Sequence, residues 1–332
     1  MLRDLLVKRF PRESFHLADK LPVFLIENAA GVPLIFEEQL RRCGVDYFDY
    51  YLLHSVSREF YEPKCQAFGC FEFIAQKKKE GKIREIGFSY HDNAELLDRI
   101  LTEHPEVDFV QLQINYLDWE DEKIQSRKNY EVARRHGKKI AIMEPVKGGT
   151  LVNVPPEVEK LFKDYAPDRS VASWALRFAA GLEGVFMTLS GMGNMEQLRD
   201  NTATMGNFVP LNDEEREIIA KATEIIKNAV AIPCTSCGYC GEAGCPVNVN
   251  IPKYFELYNG EKTCRISPET RKVRFKKLCE SFGKPSDCIG CGKCEAACPQ
   301  RIKVREKLCE IAEHFEGQGG CHIYKNIRQN AV

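Results

Sequence analysis

The sequence lacks several features that mark special classes of protein. No apolar run reaches the length needed to span a membrane, and the start, Met1-Leu2-Arg3-Asp4, does not resemble the apolar core of a signal peptide. Charge of one sign is not in excess either, because 47 Lys and Arg residues face 48 Asp and Glu residues. This balance argues against an overall nucleic-acid-binding surface. We therefore expect a cytoplasmic protein with neither a membrane nor a nucleic acid as partner.

Cysteine is scarce in the first 230 residues and abundant afterwards. Only Cys43, Cys65 and Cys70 of the fifteen cysteines precede residue 230. Residues 231–332 also hold 16 Lys and Arg against 11 Asp and Glu, a formal net charge of +5, so the first 230 residues carry −6. The shift predicts two domains, 1–230 and 231–332. In a reducing compartment, clustered thiols indicate metal ligands before disulfides.

Short β-branched or aromatic runs alternate with helical patterns in residues 1–230, which predicts a parallel sheet. The predicted strands are Phe15–Lys20, Tyr47–His54, Ile83–Phe88, Phe109–Ile114, Ile140–Met143 and Val185–Leu189. Several are near-continuous apolar runs, as expected of strands buried on both faces. No G-x-G-x-x-G segment follows a strand, so the dinucleotide fingerprint of an open doubly wound sheet is missing. Between such a sheet and a (β/α) barrel, the pattern favours the barrel.

The strongest motif of the sequence occurs twice in residues 231–332. The two copies are C-x2-C-x2-C-x4-C-P at 234–246 and C-x2-C-x2-C-x3-C-P at 288–299. In ferredoxins with two clusters, the three closely spaced cysteines bind one [4Fe–4S] cluster and the fourth reaches the other. Crossed ligation therefore predicts two ligand sets: Cys234, Cys237, Cys240 with Cys298, and Cys288, Cys291, Cys294 with Cys245.

Structural zinc sites are the alternative interpretation, because C-x2-C pairs also build zinc ribbons. A tetrahedral zinc site needs four ligands, usually as two pairs. It explains neither the third cysteine of each copy nor the proline after each fourth cysteine. We therefore expect two [4Fe–4S] clusters. The other cysteines of this region are expected to be thiols without a ligand role: Cys264, Cys279, Cys309 and Cys321.

The first 230 residues resemble the aldo/keto reductases, a family of (β/α) barrels that reduce carbonyl groups with a nicotinamide cofactor. The similarity rests on the order and spacing of six segments. They are residues 18–22, 49–54, 81–89, 111–116, 143–149 and 189–192. Together with the double cysteine motif, they make the chain similar to the iron–sulfur-bearing branch of that family. The resemblance implies a TIM-type barrel followed by a small, mostly helical ferredoxin-type domain.

The resemblance also implies a catalytic set of Asp, Tyr, Lys and His, in which Tyr gives a proton to the carbonyl oxygen. Lys20 matches the Lys and His54 matches the His, and both lie near the carboxyl end of a predicted strand, where barrels place their chemistry. The Asp and Tyr belong to βα units that would precede Phe15, where this sequence has only Met1–Glu13. We therefore expect a barrel that lacks its first two βα units, and carbonyl reduction at background from the chain as written.

Contacts to NADP(H) or NAD(H) are implied as well. Ser89 and Gln113 match positions that hydrogen-bond the nicotinamide amide. Gly148 and Gly149 match a loop that passes close to the pyrophosphate, where a side chain would be in the way. The positions that match the surroundings of the adenosine phosphate are Ser190, Gly191, Asn194, Gln197 and Asn201.

These features predict an oxidoreductase of aldo/keto reductase type, which performs NAD(P)H-linked chemistry on a small carbonyl or alcohol substrate next to iron–sulfur electron transfer. Hydride transfer moves two electrons whereas a cluster passes one, so a flavin or a redox partner protein is expected to couple the two. The alternative is an iron–sulfur electron-transfer protein or subunit whose barrel is a docking scaffold without turnover.

Overall fold

A computed structural model describes residues 2–229, 231–262 and 268–317. The chain forms two compact units. One consists of Met1–Pro145 and Ala175–Pro210, and the other consists of Val146–Trp174 and Leu211–Val332. The border between these units does not coincide with the domain boundary expected at residue 230, because residues 146–174 and 211–229 are grouped with the cysteine-rich region.

The first unit is built on one parallel sheet whose six strands lie in the order of the sequence. The strands are β1 (Ala18–Pro22), β2 (Phe48–Val56), β3 (Ile83–Tyr90), β4 (Phe109–Gln113), β5 (Lys139–Met143) and β6 (Val185–Thr188). All neighbouring strands pair in parallel. Every predicted strand is confirmed, with ends that differ by three residues or fewer.

The two faces of the sheet are packed differently, because successive side chains of a strand point to opposite sides. One face forms the large core against the helices, with Tyr51, Leu53 and Phe88 fully buried. The other face carries a small cluster of buried side chains, Leu52, Phe109 and Ala141. Among the described residues the sheet is open, since β1 pairs only with β2 and β6 only with β5. This is the architecture expected of an incomplete (β/α) barrel.

Helices follow the strands, as the alternating pattern predicts. They are α1 (Gly31–Cys43), α2 (Cys70–Lys79), α3 (Ala94–Glu103), α4 (Ser126–Arg135), α5 (Pro156–Tyr165), α6 (Val171–Ala180), α7 (Met195–Gly206) and α8 (Asp213–Ala229). Helix α5 was not among the predicted elements, although Val158, Leu161, Phe162 and Tyr165 follow helical spacing and Val158 and Phe162 are buried. In the second unit, the Phe162 ring stacks on Trp174 with centroids 4.5 Å apart, which packs α5 against the start of α6.

The cysteine-rich part of the second unit is mostly helical. Its helices are α9 (Tyr239–Glu242), α10 (Ile251–Lys262), α11 (Pro268–Ser281), α12 (Lys293–Ala296) and α13 (Val304–Glu316). The core between them includes Tyr254 and Phe255 of α10 and Leu308 and Ile311 of α13. None of the helices in the described ranges is long and apolar enough to cross a membrane.

A buried carboxylate ties the amino-terminal segment to the sheet. Asp49 is 2% exposed and accepts hydrogen bonds from Arg12 Nη2 at 2.6 Å, the Leu17 backbone N–H at 2.8 Å and Arg84 Nη1 at 2.9 Å. Burial alone would raise the pKa of Asp49, but the Leu17 amide and the two guanidinium groups outweigh it, and the pKa is lowered. The folded state therefore favours the ionised carboxylate.

We predict that Asp49→Asn lowers the free energy of unfolding by about 2–3 kcal/mol, because two guanidinium groups lose their anionic acceptor. The contribution of Asp49 is present above the ordinary Asp pKa of about 3.9 and is lost as the pH falls through the lower folded-state pKa. Asp49→Asn should therefore remove part of the acid sensitivity. Urea unfolding at pH 7 and pH 3.5 measures both effects. Exposed Asp46 supplies the matched control, and an Asp46→Asn effect of equal size would contradict the assignment.

Candidate functional sites

The register of the sheet places four predicted site residues on one face. Lys20 pairs with Leu52 in β2, and Pro22 pairs with His54, so Lys20 and His54 share a face. Leu52 in turn pairs with Gly87, two residues before Ser89, and Ser89 pairs with Gln111, two residues before Gln113. Because all strands are parallel, these residues lie toward the carboxyl edge of the sheet. The structure thus brings Lys20, His54, Ser89 and Gln113 to one edge.

Lys20 and His54 influence each other electrostatically. Burial, together with the positive charge of Lys20, lowers the pKa of His54 to about 4. Burial also lowers the pKa of Lys20, against the opposing charge of Asp19. The Phe24 ring covers His54 edge-on, with ring centroids 5.5 Å apart. At neutral pH, His54 is therefore an uncharged imidazole beside the Lys20 ammonium group. An uncharged imidazole can hydrogen-bond an uncharged oxygen.

Ser89 and Gln113 are buried and already hydrogen-bonded within the unit. The Ser89 Oγ accepts the backbone N–H of Ser55 at 2.9 Å. The Gln113 Nε2 donates to Asp118 Oδ2 at 2.9 Å, and Asn115 Nδ2 donates to the same oxygen at 2.8 Å. These contacts fix both side chains. Sequence patterns did not indicate Asn115 and Asp118, which lie in a loop without strand or helix periodicity.

The five residues matched to the adenosine phosphate gather at the turn between β6 and α7. Asn194 caps α7, since its side chain accepts the Gln197 backbone N–H at 2.9 Å. The Gln197 side chain accepts the Gly193 N–H at 2.7 Å, and Asn201 Nδ2 donates to Ser190 Oγ at 3.0 Å. Gly191 is exposed in the same turn. The arrangement is the amino terminus of a helix, a place that favours anions.

The Gly148–Gly149 loop belongs to the second unit, where it packs against a cysteine motif. Gly148 has a φ of +58°, and a Cβ there would lie 2.4 Å from the backbone oxygen of Thr235. Gly149 also has a positive φ, of 91°. The close approach that requires glycine at 148 is therefore an approach to Thr235, which lies between Cys234 and Cys237.

Two cavities in the second unit are lined by the motif cysteines in a crossed arrangement. One is lined by Cys234, Cys237, Cys240 and Cys298. The other is lined by Cys245, Cys288, Cys291 and Cys294, with Cys240 also on its wall. Cys240 and Ile251 line both, so the two cavities adjoin. Each cavity thus takes its fourth cysteine from the other motif.

The thiols of each cavity face one another and backbone amides. The Cys234 Sγ accepts the Ser236 N–H, and Cys245 Sγ accepts the Val249 N–H, both at 3.4 Å. Burial raises the pKa of Cys240 to about 11 and that of Cys294 to about 12, and neighbouring thiols contribute to each shift. Cys237 and Cys291 are exposed, so each cavity has one corner open to solvent.

These donor sets fit iron–sulfur clusters. Each cavity offers four thiols, N–H groups directed at sulfur and an apolar wall that includes Ile251. Each also has a buried donor that lacks a hydrogen-bond partner within the described residues, Thr235 Oγ1 in the first cavity and Arg305 Nε in the second. A cluster sulfur would supply the missing acceptor.

The cysteines outside the motifs do not join these cavities in the described residues. Cys279 is a free thiol, as expected. Cys309 is buried and disulfide-bonded, which corrects the expectation of a thiol there. The spacing of the cysteine motifs could not predict this disulfide, because tertiary packing brings the two sulfurs together. Cys264 and Cys321 lie outside the described residues.

Comparison with known families settles the relationship of the chain. A family model described as the aldo/keto reductase family matches residues 1–224. The chain belongs to the aldo/keto reductase family. A second model, described as a 4Fe-4S dicluster domain, matches residues 233–303 of this aldo/keto reductase. The dicluster model spans both cysteine motifs.

Individual relatives of this aldo/keto reductase are distant. An uncharacterized oxidoreductase of Schizosaccharomyces pombe is 25% identical over 207 residues, and the match covers 59% of this chain and 63% of that protein. The chain thus spans less than two thirds of that relative.

Solved structures show the same fold. An aldo-keto reductase from Bacillus halodurans, in its holo form, matches with a TM-score of 0.53 at 22% identity, over 67% of this chain and 76% of that one. An aldo-keto reductase from Klebsiella pneumoniae in complex with NADP and acetate matches with a TM-score of 0.53 at 20% identity, over 66% of this chain and 73% of that one. At these identities the likeness establishes the fold.

We predict that His54 stays uncharged down to about pH 4 in the folded chain. The unfolded chain takes up this proton near the ordinary pKa of 6.5, so the stability linked to His54 is present above that pH and is lost as the pH falls toward 4. Histidine-selective NMR titration measures the pKa directly. Lys20→Met should raise it, since a positive neighbour is removed, whereas exposed Lys79→Met should leave it unchanged. A His54 that titrates near 6.5 in the folded chain would contradict the described environment.

Proposed function

We propose that this aldo/keto reductase is an oxidoreductase that joins a nicotinamide site to a pair of [4Fe–4S] clusters. The observation that carries the proposal is the pair of adjoining cavities, each lined by four cysteines from crossed motifs. The proposed ligands are Cys234, Cys237, Cys240 and Cys298 for the first cluster and Cys245, Cys288, Cys291 and Cys294 for the second. When bound, the clusters would supply one-electron storage and transfer.

The protein's own contribution to the cluster site is shape, hydrogen bonding and exclusion of water. The apolar side chains Ile251, Phe255, Ile302 and Val304 line the first cavity beside its cysteines. The sharing of Cys240 and Ile251 by both cavities keeps the two proposed centres close, which favours electron exchange between them. Cys237 and Cys291 are exposed, which supports electron exchange with a redox partner protein or a flavin.

At the sheet edge, we propose that Lys20, His54, Ser89 and Gln113 bind the nicotinamide end of NADP(H) or NAD(H) and a small carbonyl or alcohol substrate. The uncharged His54 would hydrogen-bond the substrate oxygen, and the Lys20 ammonium would stabilise negative charge that develops on it. Ser89 and Gln113 are held in place by Ser55 and Asp118, which supports a role in orienting the nicotinamide amide. Asn194, at the amino terminus of α7, would favour a phosphate.

A second candidate function is iron–sulfur electron transfer without carbonyl turnover. The observation that favours it is the exposure of Cys237 and Cys291, one in each cavity, which would let electrons pass to a partner without any reaction at the sheet edge. Tyr51 of β2 lies on the helix-facing side of the sheet, with its hydroxyl donating to Gln39 Oε1. The barrel would then serve as a scaffold for a redox partner.

The cluster proposal predicts about eight iron and eight sulfide ions per chain after anaerobic purification, since each cubane holds four of each. Crossed ligation further predicts that Cys298→Ser changes the same EPR signal as Cys237→Ser, and that Cys245→Ser changes the same signal as Cys291→Ser. Cys279→Ser is the matched control and should retain full iron. Stoichiometric zinc without visible absorbance, or a Cys298→Ser spectrum that resembles Cys291→Ser, would contradict the proposal.

The nicotinamide proposal predicts saturable NADPH binding that weakens at least fivefold in the Ser89→Ala/Gln113→Ala double variant, because one neutral hydrogen bond is worth about 1 kcal/mol. Fluorescence titration of the iron-loaded chain measures the dissociation constant. Gln111→Ala is the matched control. Gln111 is a buried amide on β4, the strand that also carries Gln113, and its Nε2 donates a hydrogen bond to Met143 Sδ. Absence of binding to the wild-type chain would favour the scaffold function, and equal affinity in the double variant would remove Ser89 and Gln113 from the site.

A further inference from the structure

The two cysteine motifs differ in the residues that separate their cysteines. The second position is Thr235 in the first motif and Ile289 in the second, and the sixth is Tyr239 in the first and Lys293 in the second. Thr235 is 7% exposed, whereas Ile289 is 62% exposed. Equivalent positions of the two motifs are therefore covered in one case and open to solvent in the other.

The loop around Gly148 covers the first cavity. Gly148 lies against Thr235, and the neighbouring Lys147 donates from its Nζ to Gln300 Oε1 at 2.6 Å. Thr235 and Gln300 both line the first cavity. Among the described residues that line this cavity, Cys237 alone is exposed and none is charged.

Exposed side chains of several kinds surround the open corner of the second cavity. Four residues that line this cavity are exposed, and we call them the second-cavity corner: Pro246, Ile289, Cys291 and Lys293. The corner combines a proposed cluster ligand, two apolar side chains and an ammonium group. Apolar contacts with charge beside them are typical of surfaces that bind another protein.

The segment that carries the second motif is strongly basic. Residues 270–305 hold ten Lys and Arg against three Asp and Glu, a formal net charge of +7. Residues 231–262, which carry the first motif, hold two Lys against three Glu, a formal net charge of −1. A positive field raises the local concentration of an acidic protein and speeds its association. The charge difference therefore favours the second motif as the place where an acidic protein docks.

The cations of this segment lie in different environments. Arg305, on the wall of the second cavity, pairs with Glu295 at 2.7 Å, so its charge is partly neutralised. Lys293 lines the same cavity and is exposed. Helix α11, which precedes the motif, adds four exposed cations to the same segment: Lys272, Arg274, Lys276 and Lys277.

We propose that the second-cavity corner docks an acidic redox protein that exchanges single electrons with the second cluster, the one assigned to Cys245, Cys288, Cys291 and Cys294. This inference rests on the proposed pair of clusters. One electron passes from the reduced cluster to the redox group of the partner, and no bond forms or breaks. Ile289 and Pro246 pack against the apolar part of the partner's surface, and Lys293 pairs with one of its carboxylates.

The test is the binding of an acidic flavodoxin to the anaerobically purified, iron-loaded full chain, measured by isothermal titration calorimetry at low ionic strength. Lys293→Glu should weaken binding about tenfold, and added salt should reduce this difference, because salt screens exposed charges. Ile289→Ser should weaken binding about fivefold at any salt concentration, since an apolar contact is lost. Lys293→Glu should not weaken the binding of a basic c-type cytochrome, because that protein has the opposite charge.

Matched controls make the same chemical changes at other exposed positions of the second unit. Lys303→Glu reverses the charge of a side chain that is 72% exposed and lies between Ile302 and Val304, which line the first cavity. Val273→Ser shortens an aliphatic side chain that is 56% exposed on α11. Each control should change the dissociation constant about twofold or less. Carbodiimide cross-linking of the wild-type complex needs no substitution, and it should join Lys293 to a flavodoxin carboxylate.

The outcomes separate this inference from the function on which it rests. A wild-type chain without about eight iron ions would overturn the proposed clusters themselves. A loaded chain that does not bind flavodoxin, or cross-links at Lys303 and not at Lys293, would overturn the docking surface and leave the clusters standing. Equal weakening by Lys303→Glu and Lys293→Glu would also overturn it, because the effect would then depend on net charge alone. Binding without reduction of the flavin by the pre-reduced chain would overturn the exchange of electrons.

Discussion

The crossing of the two cysteine motifs is the constraint on which the cysteine-rich region depends. Neither motif completes a cavity alone, because each supplies three cysteines to one cavity and the fourth to the other. The chain between the motifs must therefore leave the first and return beside it. Helices α10 and α13 make this return stable by burying Tyr254, Phe255 and Leu308 between them. Since metal binding and folding are coupled when ligands converge from distant segments, the region is expected to fold as one unit with its clusters.

In the first unit, the parallel pairing of strands brings distant residues together. It brings the carboxyl ends of β1 to β4 to one edge, so residues separated by more than ninety positions, such as Lys20 and Gln113, share a face. The same alternation sends Tyr51 to the helix-facing core and leaves Tyr50 with Phe109 and Phe186 on the other side. Among the described residues, the buried cluster on that second face is small and consists of Leu52, Phe109 and Ala141.

Much of this organisation could be predicted from sequence, because the signals are local. Alternating apolar runs predicted all six strands, and the cysteine spacing predicted the grouping that lines each cavity. The contacts of Lys147 could not be predicted in this way. Gln300 lies 153 residues further on, and only tertiary packing joins the two side chains. Gly148 is a second example. The sequence indicated that another group approaches this glycine closely, but only the structure shows that the group is the Thr235 backbone. Helix α5 is a different case, because the spacing of Val158, Leu161 and Phe162 is helical and could have indicated it.

The exposure of Cys237 and Cys291 bears on how a cluster bound in either cavity would react with dioxygen. A cluster seated in either cavity would be shielded by apolar side chains except at that corner. Dioxygen reaches sulfur and iron by the route that is open to solvent, so oxidative loss of iron would begin there in both cavities. Because Cys240 lies on both walls, disorder that follows the loss of one cluster would reach the other.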